Sequence, residues 1–249
     1  MATKRKLPTV STNALVIPKK TESKNRFSGR DALGAYISSP EKYDSTQVIF
    51  YDEGFVAVHD MFPKSSVHKL LIPRHEKFSR LHPFEAFNDH KFLENVRQQT
   101  AKLKEMVIDE IRRKYSSFPQ NDARCEGILE DDNSFTAGKE TPIKRNWANE
   151  VISGIHSRPS MNHLHVHVLS VDRFSECLKH RKHYNSFATN FFIPLEDFPL
   201  AQDDIRRQPE REGYLRSDLV CWRCGKNFGN RFTSLKKHLA KEFEEWKKD

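Results

Sequence analysis

The segment His163-Leu164-His165-Val166-His167-Val168-Leu169 constrains this chain more than any other. Side chains alternate faces along a strand. Read as a strand, 163–170 puts three imidazoles on one face and Leu164, Val166 and Val168 on the other. The apolar face must be covered, and the sequence supplies a cover. Between Pro83 and Tyr115, the residues Leu93, Val96, Leu103, Val107 and Ile111 recur at helical spacing, the pattern of one long amphipathic helix. A sheet with that helix across one face and a row of histidines on the other is the expected core.

The histidine row admits three readings. The side chains could be solvated surface residues, or zinc ligands in a His-x-His arrangement, or a nucleophile with its helpers. Only 12 histidines occur in 249 residues, so an alternating trio is uncommon by chance. A neutral imidazole nitrogen can attack phosphorus and form a phosphoramidate. It then needs its other ring nitrogen held by an acceptor, and donors around the charge on the phosphate oxygens. Adjacent histidines can serve as such donors. These arguments alone do not say which of the three attacks.

Further strands frame the row. Gln47–Tyr51 and Phe55–His59 read as a hairpin across Asp52-Glu53-Gly54. After the loop Asp60–Lys64, Val67–Pro73 reads as a third strand, and Val151–Ile155 as another. Residues 30–38 suit a short helix. The polar stretch 119–149, with Gly127, Gly138 and Pro142, reads as a loop insertion. Residues 1–27 read as a disordered basic tail, with Lys4-Arg5-Lys6 and Lys19-Lys20 as a candidate nuclear address. Arg206-Arg207-Gln208-Pro209 reads as a linker. The expected division is a tail at 1–27, a catalytic domain at 28–205 and a small module at 206–249.

Lys and Arg number 42 against 34 Asp and Glu, a net charge of +8, which favours a polyanionic partner. No apolar run approaches the roughly 18 residues of a membrane span, and the N-terminus lacks the apolar core of a secretory signal. Cys125 and Cys177 are isolated, while Cys221 and Cys224 form a CxxC, so a reducing compartment is expected.

After Cys224, 13 intervening residues lead to His238, with Phe228 and Leu235 available as a small core. This is close to the two-cysteine, two-histidine finger, a module too small to fold without zinc. The spacer is one residue longer than the common twelve, and no second histidine follows. Thr233–Trp246 reads as a helix, which places Glu242 on the face of His238. Cys221, Cys224, His238 and Glu242 are therefore the expected ligands of a structural zinc. Lys236, Lys237, Lys241, Lys247 and Lys248, with Arg223, Lys226 and Arg231, suit a phosphate-facing surface.

The alternating histidine run resembles the signature of the HIT superfamily. The wider segment Gly154-Ile155-His156-Ser157-Arg158-Pro159-Ser160-Met161-Asn162-His163 is similar to the aprataxin branch, as is Lys182-His183-Tyr184-Asn185-Ser186-Phe187. Upstream, His59-Asp60-Met61-Phe62-Pro63-Lys64 and His68–Pro73 resemble the HIT nucleotide-binding strands. The resemblance implies an α+β fold, a HIT-like antiparallel sheet with helices, joined to a ββα-like zinc finger. It implies that His165 is the nucleophile that takes AMP and that His163 supports it. His167 and Ser160 would contact phosphate, and His156 would face the leaving group. Asp60 would accept from the ribose hydroxyls, Met61 would lie near the adenine, and Lys64 would serve the phosphate region. The implied activity is a nuclear DNA-repair hydrolase that removes AMP from 5′-adenylated DNA ends and nicks, releasing AMP without catalytic metal. The alternatives are a HIT hydrolase of small phosphoramidates or dinucleoside polyphosphates, and a nucleic-acid-binding module with an inactive triad.

Overall fold

The computed structural model describes residues 29–116 and 145–248. The tail at 1–27 and most of the 119–149 insertion fall outside them. Six strands form one antiparallel sheet: β1 Val48–Tyr51, β2 Phe55–His59, β3 His68–Pro73, β4 Val151–His156, β5 Val166–Ser170 and β6 Phe192–Pro194. Their order across the sheet is β1-β2-β3-β5-β4-β6. Seven α-helices accompany them among the described residues: α1 Gly34–Ser38, α2 Glu76–Ser79, α3 Pro83–Ala86, α4 His90–Tyr115, α5 Arg181–Ala188, α6 Pro209–Glu212 and α7 Phe232–Trp246.

The expected hairpin is present, its turn tied by Asp52 Oδ1, which accepts from the Gly54 and Phe55 amides at 2.8 and 2.7 Å. The single helix expected from Pro83 to Tyr115 is instead two. The chain breaks at Phe87–Asp89, and Asp89 caps α4 by accepting from the Phe92 amide at 3.0 Å. A capping aspartate restarts the helix because it satisfies an amide that the first turn leaves free. Past the break the helical stripe does its expected work. Leu103, Val107 and Ile111 share one buried cluster with Leu164, Val166 and Val168.

The expected strand 163–170 is shorter than its alternation suggests. Only Val166–Ser170 joins the ladder, against β3 through Leu70↔His167 and against β4 through Gly154↔His167. Before Val166 the chain bends toward α2, where the Leu164 amide donates to the Ser79 carbonyl at 2.8 Å. His163 and His165 thus lie outside the sheet, and their positions are set by local hydrogen bonds.

Gly154 is required on β4. A Cβ there would stand 2.3 Å from the Ile193 carbonyl and 2.9 Å from the Phe192 ring. The missing side chain lets β6 close over β4 beside the histidines. On the far edge of this region, Asp172 ties β3 to β5. It accepts from the Ser66 amide and hydroxyl at 2.9 and 2.7 Å and from the Phe174 amide at 2.8 Å.

Arg206, in the stretch read as a linker, pairs with Asp197 and Asp204. The C-terminal module packs on α5: Leu219, Cys221, Phe228, Leu235 and Leu239 share a buried cluster with Leu178 and Tyr184.

Candidate active site and zinc centre

Four imidazoles meet on the face of the sheet opposite α4. The His167 ring, on β5, has its centroid 4.8 Å from His165, 4.5 Å from His156 at the end of β4, and 5.1 Å from His68 at the start of β3. Phe187 of α5 closes the back of this cluster. Its ring lies 4.6 to 5.4 Å from His156, His167 and His68.

The hydrogen bonds decide where the protons sit. His165 Nδ1 is 2.7 Å from the His163 carbonyl oxygen. A carbonyl only accepts, so Nδ1 carries the proton and Nε2 keeps its lone pair. The His163 contribution is thus its main chain. Its imidazole makes none of the ring contacts that link the other four; burial lowers its pKa, and the groups acting on it are Arg80, Asp31 and His165.

A second chain of bonds runs behind His167. The Lys64 amide donates to His68 Nδ1 at 3.1 Å, so His68 carries its proton on Nε2. That nitrogen stands 3.0 Å from His167 Nδ1 and donates to it. His167 is left with its proton on Nε2, a buried atom without a protein partner, and His156 Nε2 is likewise buried and unpartnered. Asp60 Oδ2 also lies 3.3 Å from His68 Nδ1. An ionised carboxylate cannot donate, and the amide is nearer, so the amide sets the tautomer. Two orphaned ring nitrogens beside a free lone pair call for a polar ligand at this spot. Asp60, His68 and His167 also bring one potential ligand atom each within 4.8 Å of one another, the two histidines joined by the hydrogen bond already described.

Burial holds the cluster neutral. It pulls His165 below the ordinary imidazole range, partly offset by the His163 carbonyl, and pulls His156 and His167 well below it. His68 falls to about 4, again through burial, with Asp60 opposing. Burial also lowers the Lys64 ammonium, which nonetheless acts electrostatically on His156 and His167. Neutral imidazoles are the form that can attack phosphorus or donate a single N–H.

The remaining expected residues are placed unevenly. Asp60 turns the loop after β2 by accepting from the Phe62 amide at 2.8 Å. Met61 is 66% exposed in that loop, open to a ligand. The Lys64 ammonium donates to the Phe62 carbonyl. Ser160 is exposed in the connection between β4 and β5 and is not brought to the imidazoles by any described hydrogen bond. His68 was not among the residues singled out from sequence. Its only signal was a histidine opening an apolar run.

The C-terminal module brings its four expected donors together. One atom each from Cys221, Cys224, His238 and Glu242 lies within 4.8 Å of all the others. His238 Nε2 is 3.1 Å from Cys224 Sγ and 3.1 Å from Glu242 Oε1. Two sulfurs, one imidazole and one carboxylate fit tetrahedral zinc, and the fold around them is a knuckle and a helix, as in structural sites. Gly225, at φ +72°, makes the knuckle turn, where its amide donates to the Cys221 carbonyl. Among the described residues, no helix is long and apolar enough to cross a membrane.

Comparison with known proteins agrees with this geometry. A family model described as "HIT domain" matches residues 41–174, and one described as "C2HE / C2H2 / C2HC zinc-binding finger" matches residues 188–245. An "Aprataxin-like protein" from Schizosaccharomyces pombe is 36% identical over 232 residues, covering 92% of this chain and 87% of the relative. An "Aprataxin-like protein" from Saccharomyces cerevisiae is 38% identical over 222 residues, covering 87% of this chain and 97% of the relative. A solved structure described as "aprataxin ortholog Hnt3 in complex with DNA" superposes with a TM-score of 0.66 at 33% identity, covering 87% of this chain and 96% of that one.

Proposed function

Because this chain belongs to the aprataxin family of HIT-domain proteins, we propose that it is a DNA-repair hydrolase that removes AMP from 5′-adenylated DNA ends. The observation that carries this reading is the bond between His165 Nδ1 and the His163 carbonyl, because it places the proton of a neutral imidazole on Nδ1 and leaves the lone pair on Nε2, in a cluster where His156 Nε2 and His167 Nε2 have no protein partner.

In the proposed course, His165 Nε2 attacks the AMP phosphorus, and the bond from phosphorus to the oxygen of the DNA 5′-phosphate breaks. DNA leaves with its 5′-phosphate, and the nucleotide stays on His165 as a phosphoramidate. Attack by water on that phosphorus then frees His165 and AMP. His167 Nε2–H donates to the phosphate oxygens, with Lys64 as a nearby cation and Ser160 as a further contact. His156 faces the departing oxygen, which leaves as the anion of the DNA 5′-phosphate. Asp60 takes the ribose hydroxyls, and Met61 lies against the adenine. The preorganised N–H donors act where charge builds up, which is where an enzyme gains most.

Zinc, held by Cys221, Cys224, His238 and Glu242, supplies no chemistry and keeps the finger folded. Residues 28–205 carry the hydrolysis and 206–249 hold DNA, with the lysine-rich α7 toward phosphates. A DNA substrate supports a nuclear location.

The test is AMP release from adenylated nicked DNA by His165→Ala. The substitution should cost several orders of magnitude, since nothing replaces a nucleophile. Wild-type enzyme quenched without acid should carry an acid-labile AMP adduct. A folded variant turning over within about tenfold of wild type would refute the assignment.

A further inference from the structure

Arg173 follows the last strand of the histidine face, and its main chain is at φ +44°, the one described non-glycine residue with positive φ. A branched or long side chain rarely adopts this region, and such strain persists only where the surroundings force it. Here the forcing is visible. The preceding Asp172 is locked by Ser66, Ser170 and the Phe174 amide. The strained turn aims the Arg173 guanidinium inward, where burial lowers its pKa from the ordinary arginine value.

That guanidinium makes three hydrogen bonds to main-chain carbonyls. Nε and Nη2 donate to the Phe187 carbonyl at 3.2 and 3.1 Å, and Nη1 donates to Val171 at 2.9 Å. Its central carbon lies 5.7 Å from the ring of Trp222, inside the CxxC. Phe187 lies in the last turn of α5, and its ring is the wall behind His68, His156 and His167. The same helix is fastened to the finger on its other side. The Tyr184 hydroxyl donates to the Val220 carbonyl at 2.8 Å and accepts from the Trp222 amide at 2.9 Å, while Asn185 donates to Ser217 at 2.8 Å.

We propose that Arg173 is a positioning residue for the hydrolysis: it holds Phe187 against the imidazole cluster and ties that wall to the zinc module through Trp222. The finger then supports the chemistry as well as the DNA. This rests on the function proposed above. In the last turn of α5 one carbonyl, that of Phe187, receives two N–H bonds from one guanidinium fork, a contact that the single ammonium of lysine does not reproduce. A loosened Phe187 would admit water to imidazoles that burial keeps neutral. The groups facing them are Lys64 and Asp60 from the loop after β2, His68 from β3, His156 from β4, and His165 before β5.

The experiment uses the full zinc-loaded chain and adenosine 5′-phosphoramidate, a substrate without DNA. Arg173→Met should lower kcat by between about tenfold and a hundredfold with KM little changed, the usual cost of a small misplacement. The acid limb of its pH profile should move up. Arg173→Lys, which keeps the charge but not the fork, should not restore kcat. Trp222→Leu, which leaves all three Arg173 bonds in place, should show a smaller loss of the same kind and serves if Arg173→Met does not fold. A second readout needs no turnover: in imidazole NMR titrations, the cluster should titrate closer to the free-histidine value in the variants. Folded variants with wild-type kcat, or with unmoved imidazole titrations, would overturn the proposal. Wild-type protein that releases no AMP while the variant titrations move would instead strike the functional reading and leave the positioning role standing.

Discussion

The neutral imidazole cluster should make this fold sensitive to mild acid, and His68 allows the effect to be sized. Its folded pKa is about 4, lowered by burial from an ordinary 6.5. Between those values the unfolded chain binds more protons than the folded one, so stability rises with pH across the window. The His68 contribution is complete above the unfolded pKa and declines as pH falls from 6.5 toward 4. Taking the two values together, going from neutral pH to near pH 5 removes about 2 kcal/mol at this one site. His68→Gln tests this directly. The glutamine amide can still donate toward His167 Nδ1, but it does not titrate. Urea unfolding of both proteins should be measured at neutral pH and near pH 5. At neutral pH the variant should be the less stable, because it loses the edge contact of His68 with Phe187. The wild type should then lose about 2 kcal/mol more than the variant on acidification. Proton uptake by the finger ligands occurs in both proteins and cancels in the difference. Parallel stability losses would refute the reasoning, since they would mean that His68 takes up no proton on unfolding in this range.

Two further outcomes follow from close contacts. Gly154→Ala should destabilise by at least about 2 kcal/mol, because the new methyl overlaps the Ile193 carbonyl and β6 must move; denaturant unfolding reads this, and an unchanged midpoint would mean that β6 does not close on β4 as described. Glu242→Ala should lose zinc to a chelator faster than the parent, while Glu242→His should retain it as well or better, read by metal content after mild chelation; firm zinc retention in Glu242→Ala would remove Glu242 from the ligand set.

The sequence made the apolar side of this molecule readable and its polar side less so, for a physical reason. Burial of Leu164, Val166 and Val168 against Leu103, Val107 and Ile111 follows from two periodicities, and periodicity is a local property. The ladder ends at Val166 because of a bond from Leu164 to Ser79, distant in sequence, and no alternation encodes that. His163 shows the consequence. Pattern alone gives it the same standing as its neighbours, yet its carbonyl is the part that meets His165. His68 was hidden differently: all six residues of β3 are buried, so its run lacks the polar alternation that would flag a functional face. Only the pairing Leu70↔His167 brings it within reach. Glu242 was legible because helical spacing fixes the face it shares with His238, whatever packs around it. Arg173 was not legible at all, since nothing in a sequence marks a residue whose main chain is forced into a strained turn. The general rule in this fold is that ligand sets carried on one element can be read from spacing. Sites assembled by β3, β4 and β5 together depend on strand order, which the chain specifies only through packing of the whole.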